Sequence, residues 1–154
     1  MAKIMTKYRL ELVKEESHKY EVETIISCPK DIYEVLTKVC RIQCNAEEVF
    51  VLITLNTKNI VTGYFEVHRG TINTSLVHPR EVFKRALLNN ARYIMVAHNH
   101  PSGDPTPSQE DILLTQRVRK AGDLIGIELL DHIIIGDNRY ISLREKGFFC
   151  GNPG

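Results

Sequence analysis

The chain has 154 residues, of which 43% are hydrophobic and 25% charged, with a formal net charge of +1. That length fits one domain with its own core, and that usage excludes disorder as the main state. The near-neutral balance gives no support to direct nucleic-acid binding or to attraction to a membrane surface, and no apolar run approaches the roughly 20 residues that span a bilayer.

The first seven residues carry charge but no apolar stretch follows them, so they do not read as a secretion signal and a cytoplasmic protein is expected. Cys28, Cys40, Cys44 and Cys150 include no C-x-x-C pair and sit among core-type residues, so reduced structural thiols are expected. Cys40 and Cys44 could share a helix face as half of a metal site, but no second pair completes it.

Residues 8–13 (YRLELV) and 20–25 (YEVETI) alternate apolar and polar side chains around a charged turn that holds His18, which predicts a β-hairpin. Pro29 opens a helix to about residue 43, with Ile32, Leu36, Val39 and Cys40 on its buried stripe. Residues 49–55 (VFVLITL) form a continuous apolar run, hence a buried strand, and residues 60–68 are its hairpin partner. His78 and Pro79 begin a second helix, with His78 as a helix-start residue. Residues 93–98 make a central strand. A loop rich in Pro and Gly then leads to a helix over about 109–121, closed by Gly122. Two or three short strands, over 127–130, 132–135 and 139–143, finish the chain.

The pattern predicts a mixed α/β single domain, a mixed β-sheet flanked by helices, in which the hairpin and helix of residues 1–44 pack on a main domain of 45–150. The hairpin makes strand 49–55 antiparallel to 60–68, and the helical crossover makes 60–68 parallel to 93–98. The start of the first strand and the ends of the other two therefore meet at one rim, with Glu48, Glu66, His68 and His98 near it.

The chemistry concentrates in residues 98–111, HNHPSGDPTPSQED. Residues i and i+2 of an extended segment point to one side, so His98 and His100 can present two imidazoles to one ion. Asp111 stands in the first turn of the next helix, on the inward stripe of Leu114, Val118 and Ala121. Two histidines, one carboxylate and an open fourth position make a catalytic zinc pattern. Ser108-x-x-Asp111 reads equally as a helix capping box, which alone would account for both residues. There is no H-E-x-x-H and no P-C-x-x-C, and His98-Asn99-His100 is not the dispersed triad that names HNH nucleases.

The spacing H-x-H, seven residues, Ser, two residues, Asp, with a glutamate upstream, resembles the RadC-type branch of the JAMM (MPN-plus) metalloproteases. The likeness extends over about residues 45–149, through Glu48-Val49-Phe50, Arg69-Gly70-Thr71, Val77-His78-Pro79-Arg80-Glu81 and Leu130-Asp131-His132. RadC proteins typically carry a helix-hairpin-helix-like front, where this chain has a short hairpin and a helix.

The resemblance implies one zinc per chain on His98, His100 and Asp111. It also implies Glu48 as general base, and Ser108 as the residue that bonds the activated water or the developing oxyanion. It implies a hydrolase that cleaves a peptide or isopeptide-like amide of a peptide or protein substrate. Glu47 is expected on the opposite face of the strand, and Glu66 is the topological rival of Glu48. Asn99, Ser102 and Asp104 are candidates to shape the loop or touch substrate. Asp131 and His132 are candidates to orient a ligand from behind or to form a buried structural pair. The competing readings are a non-catalytic MPN-like binding module associated with DNA repair or processing, and an iron(II) oxygenase built on a facial triad. The oxygenase order H-x-D/E…H differs from the H-x-H…D order here.

Overall fold

The computed structural model describes residues 1–17, 19 and 25–149. In chain order these form α1 (Pro29–Glu34), β1 (Val49–Leu55), β2 (Val61–Arg69), α2 (Pro79–Leu88), β3 (Tyr93–Asn99), α3 (Gln109–Ile125), β4 (Glu128–Ile135) and β5 (Tyr140–Ser142). The strands make one mixed sheet in the order β2-β1-β3-β4-β5. β1 is antiparallel to both β2 and β3, β3 is parallel to β4, and β5 returns antiparallel to β4. The domain is therefore mixed α/β.

Helices on both faces explain why β1 reads as an unbroken apolar run: all seven of its residues are buried. On one face Phe50, Leu52, Ile94, Val96 and Ile134 pack against Val82 and Phe83 of α2 and Leu114 and Val118 of α3. On the other, Val51, Ile53, Met95 and Ala97 pack against Ile32, Val35, Leu36 and Ile42. The segment around α1 thus supplies one wall of the same core. β2 pairs with β1 alone and alternates in exposure, as an edge strand does.

Since β2 and β3 both oppose β1, they run in the same direction with β1 between them. Phe50, at the start of β1, stands opposite His68 near the end of β2 and opposite His98 near the end of β3. One rim of the sheet gathers the ends that the sequence placed together.

Several expectations change in detail. Residues 8–13 carry no strand, and the second limb of the expected hairpin lies outside the described residues except for Ile25, which bridges Ile60. The helix expected to about residue 43 is α only as far as Glu34. It continues as one wide turn over Val35–Val39 and, after Arg41 in the left-handed region at φ 52, a tight turn over Ile42–Cys44.

Gly122 does not close α3, which runs on to Ile125 and ends at Gly126 in the left-handed conformation, φ 86. Gly122 instead lets α3 lie against the chain entering β4, where a side-chain carbon would run into the Ile127 carbonyl. The two strands expected at 127–130 and 132–135 are one strand, β4, with Leu130 bulged out of its ladder: Ile94 pairs with Leu129 and Met95 with Asp131. Cys28, Cys40 and Cys44 are free thiols, and burial pushes the Cys40 thiol up to about 12. No helix among the described residues is long and apolar enough to cross a membrane.

Candidate metal centre

Alternation along β3 sends Ile94, Val96 and His98 to the α2/α3 face, and Met95, Ala97 and Asn99 to the other. His98 is fully buried, stacked near Phe50 at a centroid distance of 6.3 Å. His100 follows past the end of the ladder, and its Nδ1 lies 2.8 Å from the Asp104 carbonyl. A carbonyl only accepts, so Nδ1 carries the hydrogen and the lone pair of His100 is on Nε2.

The third group arrives on the first turn of α3. Ser108 caps this helix: its Oγ accepts the Asp111 N–H at 3.1 Å, while Asp111 Oδ2 accepts the Ser108 N–H at 2.8 Å. Asp111 is a cap and faces the histidines at once, so the two readings of this residue are compatible.

His98 Nε2 lies 3.0 Å from His100 Nε2 and 3.3 Å from Asp111 Oδ1, and His100 Nε2 lies 3.2 Å from Asp111 Oδ2. Three donors bound tetrahedrally at about 2.0–2.1 Å from one zinc would stand about 3.3 Å apart. Two imidazole nitrogens and a carboxylate are also the donor types zinc takes, so the group fits a metal ion. The Asp111 hydrogen bond raises His100 above the usual imidazole range against the pull of burial, and the Asp104 carbonyl and the Glu48 charge add to it. Burial pushes the Asp111 carboxyl up, but the bond from His100, with the neighbouring His98 ring and the Ser108 N–H, outweighs it and holds the group well below the usual carboxylate range. The cluster favours positive charge at its centre.

Glu48 stands just before β1. Carrying the Phe50–His98 register two residues further puts Glu48 opposite His100, on the α2/α3 face. Its Oε2 accepts the Ile72 N–H at 3.1 Å, and its carbonyl accepts the Gly70 N–H at 2.8 Å.

Asn99, only 2% exposed, holds this segment in place from the opposite face. Its Oδ1 accepts the Val49 N–H at 2.7 Å, and its Nδ2 donates to the carbonyls of Glu47 at 3.0 Å and Asn45 at 3.3 Å. Asn99 therefore grips the backbone on both sides of Glu48 and is not open to substrate.

Glu66 is not beside the cluster. In an unbroken ladder it would stand opposite Leu52, on the metal face, but Val67 is bulged out and Glu66 pairs with Val51 on the other face. There it is exposed and accepts two bonds from Arg69, at 2.7 and 3.0 Å. Glu47 is exposed and lies 3.6 Å from the same guanidinium.

Behind His98 sits His132, also fully buried, with its Nε2 at 2.8 Å from His98 Nδ1 and its Nδ1 at 2.6 Å from Thr115 Oγ1. The Leu130 bulge brings it there, since Leu129 and His132 would otherwise face opposite ways. Asp131 does not touch the His132 ring. It accepts from Ser142 Oγ at 2.5 Å and from the backbone of His132 and Arg144, fastening β4 to the chain around β5.

Ser102 is exposed in the turn, where its Oγ accepts from the Asp104 N–H at 3.3 Å. His78 caps α2 through its ring, His68 bonds the Thr71 carbonyl at 3.1 Å, and His18 lies outside the described residues. Two contributions lie beyond the sequence reading: the Asp104 carbonyl bonded by His100, where Asp104 is expected only to shape the loop or touch substrate, and Thr115. The second had a signal, because Thr115 is four residues beyond Asp111, on the same inward face of α3.

The family model for the RadC-like JAB domain matches residues 26–148. A UPF0758 protein of Clostridium beijerinckii is 52% identical over 122 residues, which is 79% of this chain and 52% of that protein. Another from Listeria monocytogenes is 47% identical over 149 residues, 97% of this chain and 63% of its own length. The chain thus spans about half to two thirds of the length of these relatives. With a match that covers most of the chain, the fold and the H-x-H…S-x-x-D site in place, this chain belongs to the RadC-type branch of the JAMM/MPN family and carries its JAB domain.

Proposed function

We propose that this domain is a zinc-dependent hydrolase that cleaves a peptide or isopeptide-like amide. The observation that carries the reading is the convergence of His98, His100 and Asp111 donors at 3.0–3.3 Å, with Glu48 close enough for its charge to act on His100. These three residues would hold the ion and leave a fourth position open. When bound, zinc supplies a Lewis acid that brings the pKa of a water down to about 7.

The chain's own groups divide the remaining work. Glu48 takes the proton from the water and delivers it to the leaving amine, and its Ile72 bond keeps one carboxylate oxygen fixed while the other is left for the proton. Ser108 Oγ already accepts from the Asp111 N–H, so its hydroxyl hydrogen is left to donate to a developing oxyanion. Asn99 fixes the height of Glu48 relative to the histidines that flank it in sequence.

The test joins metal analysis to hydrolysis of a fluorogenic peptide and isopeptide library. Zinc at about one per chain is expected. Glu48→Gln should keep that zinc and lose roughly 10²–10⁴-fold in rate, while Glu66→Gln stays close to the parent. Absence of zinc, or a Glu48→Gln variant as fast as the parent, would overturn the reading.

A further inference from the structure

We propose that Thr115 and His132 are positioning residues that set the tautomer of His98, so that its Nε2 is presented to the metal as a bare lone pair. This rests on the metal-centre reading above, and it follows from counting hydrogens.

Thr115 Oγ1 lies 2.6 Å from the Asp111 carbonyl, which can only accept, so the single hydroxyl hydrogen is spent there. The same oxygen lies 2.6 Å from His132 Nδ1 and has only its lone pairs left, so Nδ1 carries a hydrogen. His132 is fully buried, and its two nitrogens meet only a hydroxyl and another imidazole, so the ring is neutral and Nε2 accepts. The atom facing Nε2, at 2.8 Å, is His98 Nδ1, which must donate. A neutral His98 then has no hydrogen on Nε2, the nitrogen turned to His100 and Asp111.

The opposite arrangement gives His98 Nε2 a hydrogen for Asp111 Oδ1, 3.3 Å away, but leaves a much shorter contact with none. Were Thr115 to donate to His132, its oxygen and the Asp111 carbonyl would face each other at 2.6 Å with no hydrogen between two acceptors. His132 would then donate to His98 Nδ1 and force the remaining hydrogen onto Nε2, where it would block a metal. The relay also begins on the backbone of one metal-facing residue and ends on the ring of another, which ties the α3 part of the site to the β3 part.

Thr115→Val keeps the shape of the side chain and removes both the donor and the acceptor. His132 is then free to invert, and with it His98. Zinc affinity of the full chain, measured by competition with a chromophoric chelator, should fall about 10- to 100-fold, and Thr115→Ser should restore it. The ¹⁵N spectrum of the metal-free parent should show hydrogen on Nδ1 of both His98 and His132, and on Nε2 of both in the valine variant. A valine variant that binds zinc within about twofold of the parent, or a parent His132 protonated at Nε2, would overturn the proposal. Should the valine variant not fold, the parent spectrum and the serine variant decide. A parent that binds no zinc would defeat the metal-centre reading instead, while its spectrum still decides the relay.

Discussion

Asp111 illustrates why single residues of this site resist assignment from spacing alone. Its backbone N–H and one carboxylate oxygen complete a capping box with Ser108, while both oxygens lie within 3.3 Å of a histidine nitrogen. Either role would justify the residue, and the two can be separated by substitution. Asp111→Asn keeps an oxygen for the Ser108 N–H, so the cap itself should lose at most about 1 kcal/mol of metal-free stability, measured above the raised His100 value where the proton bridge no longer contributes. Loss of the anionic donor should cost zinc affinity by at least about tenfold, more than the cap costs stability. Denaturant melts of the metal-free protein and a zinc titration, run side by side, measure both; unchanged zinc affinity would leave Asp111 as a cap only.

The H-x-H and the aspartate were legible as a candidate group because their types and spacing, taken with the likeness to the JAMM pattern, point to one ion. Thr115 was not. Its hydroxyl matters only because His132, distant in sequence, is delivered against it.

At the scale of elements, the buried runs of β1 and β3 and the direction of β2 could be read from hydropathy and connectivity, and with them the rim. What could not be read were two bulges, each of which moves a titratable side chain from one face of the sheet to the other. Val67 takes Glu66 away from the metal face, and Leu130 brings His132 onto it. A bulge leaves little trace in a local sequence, since it shows only as a slip between two strands far apart in the chain. The break seen at Asp131, read as the gap between two strands, was that slip.

Gly122 was misplaced for a related reason: a glycine near a helix end looks like a cap whether it serves φ or proximity. The two glycines make opposite predictions. Gly126→Ala meets open space and suffers mainly its left-handed backbone, roughly 1 kcal/mol. Gly122→Ala drives a methyl into the Ile127 carbonyl and to 3.2 Å from Phe83, so α3 and β4 must separate, at about 1–3 kcal/mol or more. Urea melts should place Gly122→Ala as the less stable of the pair; the reverse order would return the cap to residue 122.

For the whole molecule, the site joins parts that otherwise touch through the apolar core: the sheet rim carries two histidines and α3 carries the aspartate. In the metal-free protein a proton does this joining, and the pH dependence follows from the two shifts. Folding raises His100, so its share of stability is fully present below the ordinary imidazole value of about 6.5 and is lost as pH rises through the raised value. Folding lowers Asp111, so its share is present above the ordinary carboxylate value of about 3.9 and is lost as pH falls through the lowered one. Between these limits the proton-bridged pair holds rim and helix together.

Zinc needs the lone pair that this proton occupies, so its apparent affinity must rise with pH until His100 is deprotonated. A ligand that binds only the folded state stabilises in proportion to the logarithm of its concentration over its dissociation constant. The gain in Tm on adding a fixed excess of zinc should therefore be small near pH 5.5 and larger near pH 8, values about one unit or more on either side of the ordinary imidazole value. Scanning calorimetry of the metal-free and zinc-loaded chain across that range measures it. A gain that stays level, or that grows towards acid, would mean that zinc displaces no proton from His100, and the ion would then have to sit elsewhere than on its Nε2.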